Sequence, residues 1–276
     1  MKKKKILFIS QEITPYLEEN ELGRFGRYLP QGIQEDGKEI RTFMPKFGCI
    51  NERRNQLHEV IRLSGMNLII NDNDHPLLIK VGSIQAARMQ VYFIDSEDFF
   101  QRKAVFHDKK TGEEFEDNDE RAIFFVRGVL ETVKKLGWVP DIIHCHGWMT
   151  SLVPLYIKTS FKKEPVFENS KVIFSLYNND FDKPLNNDFN KKALMDDISD
   201  EAIADYSDTS FVGLNKAAMN ASDAIIMASE TINPELEKHF NESTKPKLGY
   251  HSPEDYIAAY SSFYDEILEE TEVLQA

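Results

Sequence analysis

Two histidines stand two residues apart in Ile142-Ile143-His144-Cys145-His146, and Gly147-Trp148 follows directly. Imidazoles serve general acid–base chemistry, metal ligation and hydrogen bonding to hydroxyl groups. At a spacing of two on a strand, both rings face the same side. Cys145 then faces the other side, and no further ligand cluster completes the set that zinc needs, so no metal is expected. Two readings of the histidines stay open. One or both are buried and hydrogen-bonded for structural reasons, or His146 touches a hydroxyl-bearing ligand and is the one candidate for a catalytic role. Trp148 either stacks on such a ligand or covers the sheet edge. The next apolar run, Lys171–Leu176, ends in Tyr177-Asn178, where Asn178 is either a ligand contact or a turn residue. No nucleophile–base pair, Gly-x-Ser-x-Gly elbow, P-loop or zinc motif is present in the sequence.

These residues need a frame, and the chain supplies one. Ile6-Leu7-Phe8-Ile9-Ser10 is a short apolar run of the kind buried on both faces of a parallel sheet. A helical pattern follows from Leu22 to about Gln34, with Gly37 at its exit, and Glu39–Pro45 reads as a second strand. Leu57–Leu63, Leu77–Ile84 and Met89–Ile94 are expected to be short strands, the last a return to the central sheet. Asp117-Asn118-Asp119-Glu120 offers cap oxygens to a helix running to Leu136, with Arg121 read as the partner of that cap. Ser151–Thr159 is a helix, Tyr177–Thr209 a polar loop with one weak helix, Phe211–Ala221 a helix, Asp223–Ser229 a strand and Asn233–Phe240 a helix. Ser252-Pro253-Glu254-Asp255 opens a last helix whose apolar face carries Tyr260, Phe263, Tyr264 and Ile267. Strands alternating with helices predict an α/β fold: a single doubly wound, Rossmann-like domain with a mainly parallel sheet. Its main body covers residues 1–250, and residues 251–276 form an acidic C-terminal helix packed on the same domain.

The loop between the first strand and first helix is wrong for phosphate. Tyr16-Leu17-Glu18-Glu19-Asn20-Glu21 carries three carboxylates and no glycine, whereas phosphate needs converging N–H groups and positive potential. The net charge of −13, with no basic stripe to offset it, argues against nucleic acid and anionic membranes as partners. The Lys2–Lys5 run reads as a solvated lead-in to a buried strand, and the apolar stretch after it is too short for a signal peptide. Cys49 and Cys145 form no pattern, as for two free thiols in a reducing compartment, so a cytoplasmic location is expected and the sequons at Asn220 and Asn241 are chance matches.

Taken in order, several segments resemble one family. Lys5–Tyr16, Leu22-Gly23, Leu29-Pro30, Met44–Phe47, Val91–Asp95, Asp117–Arg121, Asp141–Trp148 and the Ala221–Ser229 strand are similar to bacterial glycogen and starch synthases (glycosyltransferase family 5), over about residues 1–240. The resemblance implies the N-terminal half of a GT-B glycosyltransferase, which elsewhere transfers glucose from ADP-glucose to an α-1,4-glucan. In the family, the loop at Glu18–Gly23 reads Lys-Thr-Gly-Gly-Leu-Gly and contacts the donor's phosphates. Here Glu18 replaces the lysine, Asn20-Glu21 replaces the glycine pair, and Leu22-Gly23 remain. Gly147 stands where the family has an acid, and Tyr177-Asn178 where it has His-Asn. His146, Trp148, Asn178 and Gly23 are the matching positions that remain, and the resemblance makes them the substrate-binding candidates. The family's donor domain has no counterpart in the sequence. The resemblance therefore implies a protein of α-glucan metabolism that is inactive alone and needs no cofactor, ADP-glucose entering only as a donor if it is active. Its expected partners are a glycogen-like glucan, an enzyme of glycogen metabolism, or a separate donor domain that completes a synthase in trans.

Overall fold

The computed structural model describes residues 3–275. Lys2 and the acidic side chains from residue 270 onward, both part of the sequence reading, lie outside the described residues. Strands β1 (Lys5–Ser10), β2 (Glu39–Pro45), β6 (Met89–Asp95), β7 (Ile142–His146), β8 (Lys171–Leu176), β9 (Ala224–Met227) and β10 (Lys247–Leu248) run parallel. The sheet order is β10-β9-β8-β7-β1-β2-β6-β5-β3, where β3 is His58–Glu59 and β5 is Asn73–Ile84. β5 is antiparallel to β6, and β4 (Met66–Ile70) pairs antiparallel with β5. The chain winds from β1 to β2 on one side and returns to β7 on the other, so the direction of winding reverses between β1 and β7. This is an α/β, mainly parallel, Rossmann-like sheet. The crevice at such a reversal, outside the carboxyl ends of the strands, is where open α/β sheets bind ligands.

The strands are apolar on both sides because both faces are covered. Leu7, Ile9, Ile143 and Cys145 point to one face, with Ile123 and Val126 of α2 (Asn118–Leu136), Tyr156 of α3 (Val153–Lys158), Leu214 of α6 (Phe211–Ala221) and Leu236 of α7 (Pro234–Glu242). Ile6, Phe8, Ile142 and Ile173 point to the other, with Leu29 and Ile33 of α1 (Glu21–Glu35) and Tyr260, Phe263 and Tyr264 of α8 (Tyr256–Gln275). Each such side chain, fully buried, contributes roughly 1.5–3 kcal/mol. α8 crosses α1 at Gly32, where an added Cβ would meet the Ile257 side chain at 2.5 Å. Lys38, only 9% exposed, pins the crossing by donating to Ser261 Oγ at 2.6 Å and to the carboxylates of Asp36 and Asp265 at 3.1 Å each.

Several local expectations are corrected. The Leu57–Leu63 strand shrinks to His58–Glu59, while β4 forms in a stretch not read as strand. β5 begins at Asn73, inside the polar tract Asn71–Asp74, because Asn71 and Asp72 adopt positive φ and turn the hairpin there. Asp117 precedes α2 but makes no capping bond; its carboxylate takes the Arg102 guanidinium at 2.6 Å. Buried Arg121 does more than serve a cap: it donates to the carbonyls of Phe99 (2.9 Å) and Val105 (2.7 Å) and to Asn118 Oδ1, tying residues 96–117 onto α2. Helix α3 begins at Val153 after a 3-10 turn at Trp148–Thr150, two residues later than expected. Between Tyr177 and Thr209 lie two short helices rather than one, α4 (Phe189–Ala193) and α5 (Asp200–Ala204). Ser252-Pro253-Glu254-Asp255 is a turn, and α8 starts only at Tyr256, whose N–H meets the Ser252 carbonyl at 3.0 Å.

Candidate functional site

The site is built where β1 and β7 end. The Gln11 N–H donates to the His146 carbonyl at 3.1 Å, joining the two strand ends. Gly147 then turns the chain at φ +87°, a conformation natural to glycine. Its Cα faces Gln11 so closely that an added Cβ would lie 2.5 Å from Gln11 Oε1. The Gln11 amide thus fills the space beside residue 147.

Both histidines face one side of the sheet, as their spacing requires, and both are fully buried. The His144 ring bridges two elements: Nδ1 meets Tyr264 Oη of α8 at 2.6 Å, and Nε2 meets Ser175 Oγ of β8 at 2.7 Å. His146 Nδ1 meets Tyr177 Oη at 2.6 Å, while its buried Nε2 has no partner. The two rings lie 3.9 Å apart. Burial disfavours the imidazolium. It holds His144 well below the ordinary 6.5, with His146 alongside adding to the effect, and pushes His146 down to about 3. Both rings are therefore neutral at physiological pH, and His144 acts as a strut between sheet and helix.

At the N-terminus of α1, Asn20 is the cap: its Oδ1 accepts the Gly23 N–H at 2.7 Å, and its Nδ2 donates to Glu12 Oε2 at 2.6 Å. The sequence reading missed this cap because Asn20 stood out only as a lost glycine. Glu21, the first residue of α1, accepts from the Ser229 hydroxyl, and Ser229 Oγ accepts the Asn178 N–H at 2.9 Å. Gly23 therefore has its N–H already satisfied, and Asn178 enters this network through its backbone while its side chain is exposed. The end of α1 carries Glu19 and Glu21 and is lashed across to the loops after β8 and β9. This is the reverse of an anion site.

A cleft of about 240 Å³ opens at the same edge. Trp148, 3% exposed, is among its lining residues, packed against Phe106 and Phe181 at centroid distances of 5.2 and 5.1 Å. Gln11, Glu12, His107, Glu114, Asn118, Asn179 and Asp180 supply the polar lining. Asn179 Nδ2 is buried without a partner. Of the four candidates from sequence, Trp148 lines this cleft; His146 lies behind it, and Gly23 and Asn178 sit at the α1 end. Gln11, Asn179 and Phe181 were not singled out by sequence, although each lies within five residues of a carboxyl strand end and two continue polar turns. Among the described residues no group of three or more His, Cys, Asp or Glu is placed to hold a metal ion, and no helix is long and apolar enough to cross a membrane.

Residues 5–248 match the family model of the starch synthase catalytic domain. A glycogen synthase of Chlorobium luteolum is 34% identical over 234 residues, covering 84% of this chain and 48% of that protein. The glycogen synthase of Chlorobium limicola is 39% identical over 174 residues, covering 63% of this chain and 36% of its own length. The chain thus spans about half the length of such relatives, or less. The catalytic domain of starch synthase IV from Arabidopsis thaliana, solved bound to ADP and acarbose, superposes with a TM-score of 0.73 at 19% identity, over 90% of this chain and 51% of that one. At that identity the likeness speaks for the fold. With the family model covering every strand of the sheet, the chain belongs to the glycogen/starch synthase family.

Proposed function

We propose that this chain is an acceptor-type domain of α-glucan metabolism that binds glucan at the sheet edge and does not transfer glucose from ADP-glucose by itself. The observation that carries this reading is the closed N-terminus of α1. Asn20 occupies an N–H that a phosphate would use, Glu21 bridges to Ser229, and Glu12 and Glu19 add negative charge around them. A nucleoside diphosphate approaching this end meets like charge and a Gly23 N–H that Asn20 already holds. A neutral sugar meets no such barrier. The cleft beside Trp148 offers aromatic edges for the apolar face of a sugar ring and amides and carboxylates for its hydroxyls, the pairing that small-molecule sites use. The relatives' names and the acarbose held by the plant starch synthase domain support a glucan as ligand. Such a binder would serve in the cytoplasm, alongside or as regulator of an enzyme of glycogen metabolism.

One observation favours a second reading. The chain matches only about half of its relatives' length, and a separately encoded donor half could complete a synthase in trans. Co-sedimentation with glycogen, with and without ADP-glucose, followed by a count of glucose incorporated, separates the two. Binding without incorporation is expected. Incorporation by the chain alone would overturn the proposal. Incorporation only when a donor-domain protein is added would establish the second reading.

A further inference from the structure

A cavity of about 590 Å³ opens between one face of α1 and the turn that leads into α8. Small-molecule sites have volumes of about 300–1,000 Å³. Four aromatic rings line it. Phe25, half-buried, packs on Tyr256 at a centroid distance of 4.7 Å, and Tyr256 is only 8% exposed. Tyr28, one helical turn along the same stripe of α1, and Tyr250, from the turn, are the other two.

The charges around these rings restrict the occupant. They are Glu19, Glu21 and Arg24, with the His251 imidazole beside them. Glu19 and Arg24 pair at 3.6 Å and offset each other. Glu21 is left over: its carboxylate accepts from the neutral Ser229 hydroxyl and has no cationic partner among the described residues. A negative charge beside aromatic rings repels an anion and offers a neutral ring nothing beyond packing. A cation gains from both, because the ring quadrupole and the carboxylate attract it together. Arg27, outside the cavity, already lies 5.4 Å from the Tyr28 centroid, so this ring takes a cation within the chain itself. Asn20, the amide side chain of the lining, is spent on the Gly23 N–H and on Glu12. The walls thus supply ring area more than lone pairs. That suits an ammonium wrapped in alkyl groups, whose charge needs no hydrogen bond.

We propose that this cavity is a binding site for a small quaternary ammonium compound, its alkylated head against the rings of Phe25, Tyr28 and Tyr256 and its charge toward Glu21. The site shares no lining residue with the cleft beside Trp148 and does not depend on the glucan-binding role.

The test is calorimetric titration of the full chain, at about pH 8 where an ordinary imidazole is uncharged, with choline and with 3,3-dimethylbutan-1-ol, which has the same shape without the charge. Choline is expected to bind roughly tenfold more tightly than the alcohol. Glu21→Gln keeps an acceptor for Ser229, removes the charge, and should weaken choline binding about fivefold. Tyr28→Leu, at an exposed position, should weaken it about threefold. Glu168→Gln, an exposed carboxylate before β8 at the opposite edge of the sheet, controls for the net charge of −13 and should change nothing. Equal affinity for choline and the alcohol, or binding of neither, would overturn the proposal and leave the sheet-edge site standing. Equal losses from Glu21→Gln and Glu168→Gln would overturn it too, since overall charge would then draw the cation. So would choline binding that neither Glu21→Gln nor Tyr28→Leu weakens. Circular dichroism of each variant confirms that its fold is unchanged.

Discussion

Lowering the pH from 7 to 5 tests the buried histidine pair. In the folded chain burial holds His146 at about 3, whereas in the unfolded chain it returns to its ordinary 6.5. Between these values the unfolded state binds a proton that the folded state refuses, so stability is present in full above about pH 6.5 and declines as the pH falls, flattening only near 3. Each pH unit in that window costs about 1.4 kcal/mol. His146 alone should therefore remove about 2 kcal/mol by pH 5. His144, displaced in the same direction, adds to the loss. Glu131, whose carboxyl burial raises, works the opposite way, so the decisive comparison is between natural chain and variant. Urea unfolding at both pH values should show His146→Gln losing about 2 kcal/mol less than the natural chain across the interval. An equal loss in both would refute the claim that this ring is neutral and sealed from water. Imidazole resonances followed by NMR give an independent reading: His146 should not titrate above pH 5, and His144 should titrate well below the ordinary 6.5.

Other expectations follow from the same contacts. Tyr264→Phe keeps the packing but strands His144 Nδ1, and should cost about 1–3 kcal/mol in urea unfolding at neutral pH; Tyr264→Ala adds a cavity and should reach about 3–5 kcal/mol. Gly147→Asp, which reinstates the family's acid, should destabilise by about 1–3 kcal/mol, because the new Cβ meets Gln11 at positive φ; a neutral thermal shift would show that Gln11 swings aside freely. Replacing Glu18 by Lys and both Asn20 and Glu21 by Gly reopens the end of α1. That triple variant should bind ADP several-fold more tightly than the natural chain by calorimetry, with no glucose incorporated by the chain alone; unchanged ADP affinity would mean that this loop is not what excludes the nucleotide.

How far the sequence could be read depended on how strongly each segment is patterned. β1, β2, β6, β7 and β8 are short apolar runs with polar ends, and the period of two placed His144 and His146 on one face correctly. β4 was missed because the polar tract Asn71–Asp74 was read as a separator between strands, whereas Asn71 and Asp72 at positive φ make a two-residue turn that pairs Ile70 with Asn73. Ser252-Pro253-Glu254-Asp255 has every mark of a helix start, and although α8 begins at Tyr256, the Ser252 carbonyl accepts the Asp255 and Tyr256 N–H groups and so does start it. Asp117, by contrast, satisfies a guanidinium instead of a helix N–H. At the site, the residue types read as unfavourable for phosphate. They could not show what filled the space, because Glu21, Gln11 and Ser229 act through partners brought together only by the sheet.

The closure of one sheet face by α8 has a consequence for how the protein is made. Lys38 and Ser261, which clasp each other, are 223 residues apart in the chain. At ribosomal speeds of about 5–20 residues per second, on the order of ten seconds or more separate their emergence. Until then Ile6 and Phe8, and Ile142 and Ile173 once they emerge, lack the cover of Tyr260, Phe263 and Tyr264, and the His144 ring lacks its strut. The nascent chain thus carries a wet, sticky half-core until α8 leaves the exit tunnel. Yield in cells should accordingly depend on chaperone capacity during translation more than on the stability of the finished fold.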